Sequence, residues 1–159
     1  MNDATQQDTR TDSTLRAAPK LNPGEHWAGI IIDDDGKPSY HLIGLPGEIE
    51  NATWDEAVEW AKSVGGELPS RRELALERVN AALHFKPDWY WSGEQHADAR
   101  VACYQFFING LQGYDRKDIK LRARAVRRIP TQEHGEAEDG FWTCRSAAQN
   151  VAPQGEKNG

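Results

Sequence analysis

The chain has 159 residues, of which 38% are hydrophobic and 28% charged, with a formal net charge of −6, the make-up of one ordinary globular domain without wholesale affinity for nucleic acid. Its longest early apolar stretch, Trp27 to Ile32, is far below the roughly eighteen residues that span a bilayer, which excludes a membrane helix there. Two cysteines, Cys103 and Cys144, are too few for a disulfide framework and lack the spacing of a zinc site, so both are read as free thiols.

Residues 1–22 are polar and nearly free of large aliphatic side chains, too poor in apolar surface to offset the entropy of ordering, and are expected to form a disordered arm. They also lack the basic-then-apolar order of a secretory signal, which points to a cytoplasmic protein. The folded domain is expected over residues 23–130. It opens with two strand candidates, Trp27 to Ile32 and Ser39 to Leu45, joined across Asp33-Asp34-Asp35-Gly36 as a hairpin. The aspartate cluster lacks the twelve-residue loop and closing glutamate of a calcium site and is read as a turn.

Thr53 followed by Glu56 is a capping box, so a helix starts near Trp54, its apolar residues at three- and four-residue spacing, and ends at Gly65-Gly66. Ser70 and Glu73 repeat the box and start a second helix to about Leu83, with Leu76, Val79 and Leu83 as its apolar stripe. Three strand candidates follow: Trp89 to Trp91, Val101 to Ile108, and Leu121 to Ile129, the last with a break in alternation near Val126 that suggests a bulge. Strands, then helices, then strands make an α+β domain: two helices packed on a small mixed or antiparallel sheet whose N- and C-terminal strands pair. Residues 131–159 read as a polar tail with one exception, Phe141-Trp142, an apolar pair expected to dock on the domain or on a partner.

The blocks Trp54-Asp55-Glu56-Ala57, Gly65-Gly66-Glu67-Leu68-Pro69-Ser70-Arg71-Arg72-Glu73, Tyr90-Trp91-Ser92-Gly93 and Arg122-Ala123-Arg124-Ala125-Val126-Arg127-Arg128, in that order, resemble the family of Legionella collagen-like-protein C-terminal domains over roughly Gly29 to Ile129. That family occurs in bacterial surface proteins and in phage and prophage proteins and is similar to C-type-lectin-like domains. The resemblance implies a C-type-lectin-like fold, a phage or prophage origin, and action in the host cytoplasm or on the virion. The Glu-Pro-Asn and Trp-Asn-Asp loops of calcium-dependent sugar binding are absent, so the resemblance does not extend to that chemistry.

Function is expected to be recognition rather than catalysis, because no nucleophile elbow, cysteine motif or histidine pair at ligand spacing is present; neither cofactor nor metal is expected. The expected ligand, a protein or a glycan, meets the late loops Gly93–Ala99 and Asn109–Lys117 through Gln95, His96, Asn109, Gln112, Tyr114 and Arg116. The alternative is an inhibitor or accessory factor that contacts an acidic protein or nucleic acid through Lys117, Lys120, Arg122, Arg124 and Arg128. The bland reading of that basic run is a set of outward residues paired with the chain's own carboxylates.

Overall fold

Residues 18–131 are described by the computed structural model; the notable Phe141-Trp142 pair and most of the two polar ends lie outside the described residues. The elements run β1 (His26–Ile32), β2 (Pro38–Gly44), β3 (Ile49–Ala52), α1 (Trp54–Ser63), α2 (Arg71–Ala81), β4 (Trp89–Gln95), β5 (Val101–Phe106), β6 (Gln112–Arg116), β7 (Leu121–Ala123) and β8 (Val126–Pro130), with a 3-10 turn at Ala82–His84. Two helices and two sheets make an α+β architecture.

The hairpin is as read from the sequence. β1 and β2 pair antiparallel, and the Asp33 carboxylate accepts the Asp35 and Lys37 amides at 3.0 and 2.9 Å, closing the turn with Gly36 at φ 79°. Terminal pairing takes a different form from the expected one. β8 lies against β2, giving the order β1-β2-β8, so the first strand is an edge. The second sheet has the order β3-β7-β4-β5-β6 and is mixed, because β4 and β7 run parallel.

The single late strand expected over 121–129 is two strands in two sheets. Alternation breaks where the chain crosses between them: the Ala125 carbonyl accepts the Leu45 amide at 2.9 Å, and Val126 bridges Glu67 in both directions. The bulge signal near Val126 was therefore the mark of a sheet change. β3 has no apolar alternation to betray it, and Asn51 within it sits at φ 49°.

Both capping boxes form: Thr53 accepts the Glu56 amide while Glu56 accepts that of Thr53, and Ser70 and Glu73 do the same. Of the apolar stripe assigned to the second helix, Leu76 packs against Ala28, Leu42 and Val126, but the other two residues do not face inwards. Val79 and Leu83 are 76% and 101% exposed, and the buried face carries Glu73, Leu74, Glu77 and Ala81. Two buried carboxylates displaced the apolar pattern because each has a partner. Glu73 accepts two bonds from Arg128 of β8, at 2.6 and 2.8 Å, and one from the Tyr40 hydroxyl at 2.6 Å; Glu77 meets the His26 ring at 2.7 Å. The ring of His84 stacks on His26 at 3.9 Å.

The main core gathers Leu45, Trp54, Ala57, Leu68, Trp91 and Ala123 between α1 and the second sheet. Trp91 and Trp54 are buried and spend their indole N–H groups on the carbonyls of Ala52 and Ser92, at 3.0 and 2.8 Å. Trp60 and Trp89 are half-buried, the latter stacked on Phe106 at 4.3 Å. At the ends, Lys20 and Asn22, assigned to the arm by composition, are tied in: Arg127 donates to the Lys20 carbonyl and the Asn22 amide donates to Glu25 at 2.7 Å. Thr131, placed in the tail, is buried against the carbonyls of Pro38 and Ser39.

Candidate functional site

The turn from β4 to β5, the link from β6 to β7 and the start of α1 meet at one end of the second sheet and enclose a cleft of about 760 Å³. Lys117 holds the three segments together. Its amide donates to the Arg100 carbonyl at 2.8 Å, and its own carbonyl accepts the Trp54 amide at 3.0 Å, using the first free N–H of α1. Its ammonium donates to Gln95 at 2.7 Å and lies 4.4 Å from the Trp54 ring centre.

Two ion pairs of opposite sequence order line the cleft. On the β4–β5 turn Arg100 grips Asp98 through Nε and Nη2 at 3.1 and 2.8 Å. On the β6–β7 link Arg116 grips Asp118, Nε to Oδ1 at 2.9 Å. Each guanidinium holds its carboxylate well below the ordinary range, and each carboxylate raises its arginine in return. All four groups are open to water, so these pairs contribute little to stability and can re-form around a ligand. Thr53 and Asp55 close the third side. The set offers donors and acceptors side by side with balanced charge, which suits a polar ligand carrying both.

Of the sequence-predicted ligand residues, Gln95, His96, Tyr114 and Arg116 come together at this end. The rings of His96 and Tyr114 stack at 4.4 Å, with Tyr114 61% exposed, and Tyr114 and Arg116 share one face of β6. Asn109 and Gln112 are not part of it. Asn109 accepts the Leu111 amide at 2.9 Å in the turn at the far end of the β5–β6 hairpin. Gln112 is held by the Arg71 carbonyl at 2.6 Å and the Gln105 side chain at 2.7 Å. The region also has more regular structure than expected: Gln95 ends β4, and 112–116 is an edge strand whose polar residues hid its alternation. Asp98, Arg100 and Asp118 were missed, although Asp98-Ala99-Arg100 and Arg116-Lys117-Asp118 are mirror-image pairs at a spacing of two, a signal legible in the sequence.

The arginines of the basic run are engaged within the domain. Arg122 donates to Asp88 at 2.7 Å and Glu48 at 3.0 Å and also meets Glu50. Arg124 serves the carbonyls of His84 and Leu45, at 2.8 and 3.2 Å. Arg128 is taken by Glu73 and Glu67. Lys120 is exposed on the β6–β7 link. This geometry favours the structural reading of the run over a nucleic-acid surface.

Among the described residues no group of three or more His, Cys, Asp or Glu is placed to hold a metal ion. Burial pushes the Cys103 thiol up, away from the reactive thiolate. A second concavity, of about 200 Å³, has an apolar floor of Trp54, Val58 and Leu68 and a polar rim that includes Glu67, Ser70 and Glu94. No family model matches the chain. No curated protein matches it either.

Proposed function

We propose that the domain is a non-catalytic recognition module of C-type-lectin-like architecture, which binds a hydroxyl-rich ligand, in the first instance a glycan, in the cleft between the β4–β5 turn and the β6–β7 link. The observation that carries this reading is the pairing of Asp98 with Arg100 and of Arg116 with Asp118 across one polar cleft. A hydroxyl both donates and accepts, and a neighbouring carboxylate and guanidinium satisfy both roles at once. The exposed Tyr114 ring, backed by His96, adds a flat apolar face beside them. The resemblance of the Gly65–Glu73 and Arg122–Arg128 blocks supports the same fold and a phage or prophage setting, in the host cytoplasm or on the virion.

Titration of ¹⁵N-labelled protein with the hits of a glycan array tests it. Amide shifts are expected to cluster at 96–100 and 114–118, and Arg100→Ala and Tyr114→Ala should each weaken binding at least tenfold without changing the fold. Silence on the array, with a protein ligand found at the same residues, would replace the glycan by a protein; shifts mapping elsewhere would sink the cleft itself.

A further inference from the structure

We infer that the apolar groove between α1 and the β4 end of the second sheet is a seat for Trp142 of this chain's own C-terminal segment, a contact distinct from the cleft. The groove has room for one aromatic side chain. Its volume is about 200 Å³, and a cavity of about 150 Å³ lined by apolar side chains already accepts benzene. Trp54, Val58 and Leu68 supply the apolar floor. The rim carries the acceptors Glu67, Ser70 and Glu94, which an indole N–H can use and a phenyl ring cannot, so the chemistry selects Trp142 over Phe141.

The chain also ends its described part in the right place. Arg128 of β8 lines the groove, and the last described residue, Thr131, follows it by three positions. Three extended residues carry the chain about 10 Å, and the ten from Gln132 to Phe141 reach about 33 Å, so the span back to the groove is covered with slack. Closing a loop of this length has a modest entropic cost, since the penalty grows only logarithmically. In composition, Phe141-Trp142 is the one pair of adjacent large apolar side chains between Gln132 and Gly159.

Cys144 stands two residues beyond Trp142 and turns the inference into a cross-linking experiment on the full chain. Lys62 is on the groove rim and exposed, whereas Cys103 is buried. Lys62→Cys is expected to form an intramolecular disulfide with Cys144 under mild oxidation at least roughly tenfold faster than Val79→Cys, an equally accessible position on α2, because docking raises the effective concentration at the groove alone. Trp142→Ala in the Lys62→Cys background should bring the rate down to that of the Val79→Cys control. Equal rates at the two positions, or a fast Lys62→Cys reaction that survives Trp142→Ala, would overturn the inference and leave the groove to a partner chain.

Discussion

Arg128 of β8 and Glu73 of α2 meet as fork and carboxylate, Nε to Oε1 at 2.6 Å and Nη2 to Oε2 at 2.8 Å, with Glu73 wholly buried. They join the hairpin sheet to the second helix across 55 residues of sequence. Removing one partner leaves the other charged in the interior, a change that costs about 3–5 kcal/mol, whereas exchanging both for apolar side chains costs far less. Arg128→Leu should therefore lower the unfolding free energy by about 3 kcal/mol or more in urea denaturation, and Arg128→Leu with Glu73→Leu should recover much of that loss. A single substitution costing under about 1 kcal/mol would show that the pair is not the joint between sheet and helix.

Acid should destabilise the domain in two stages. Burial lowers His41; His84 is lowered by burial, by its neighbour His26 and by Arg124, with Glu77 opposing. Both take up protons more readily when unfolded, so the stability they contribute is present at neutral pH and lost as pH falls below the ordinary value of 6.5. The second stage belongs to carboxylates. Arg127 holds Glu25 at about 2 against an ordinary 4.5. Glu73, despite a burial that works against ionisation, is held low by Arg128 and Tyr40. Their contribution is complete above 4.5 and disappears as pH falls towards 2. Urea midpoints measured at pH 7.5, 5.5 and 3 should fall stepwise; His84→Gln should flatten part of the first step and leave the second.

Each helix start rests on one hydroxyl. Thr53 and Ser70 accept the amides of Glu56 and Glu73 at 3.3 and 3.1 Å. Thr53→Ala and Ser70→Ala should each cost about 1 kcal/mol, the second more than the first because its surroundings are drier. Equilibrium denaturation of the two variants against the parent measures both, and a loss at neither position would deny the boxes their role.

Gly66 is a glycine for reasons of contact. A β-carbon there would lie 2.6 Å from the Val126 carbonyl oxygen and from a methyl of Leu45, at the crossing where the chain leaves one sheet for the other. The carbonyl is backbone and already accepts the Glu67 amide at 3.0 Å, so it cannot move aside. Gly66→Ala should destabilise by about 1–3 kcal/mol, read from thermal or urea unfolding.

The elements with local signals were legible in the sequence: the Asp-Gly hairpin, both capping boxes, the Gly65 exit at φ 83° and the interior places of Trp54 and Trp91. Capping and turn chemistry act within three or four residues, so composition and spacing suffice for them. The face of α2 was beyond such reasoning. Glu73 and Glu77 face inwards because Arg128, Tyr40 and His26 arrive from strands far away in the chain, and an isolated helix gives no reason to bury a carboxylate. The cleft divides in the same way. Its residue types and its two mirrored Asp–Arg pairs are written locally, yet their convergence, and the parting of Asn109 and Gln112 from them, follow from strand register and from Lys117 bonding three segments at once. Local bonding made the pieces readable from the sequence by itself; which pieces share a site was decided by long-range pairing, which only the folded chain specifies.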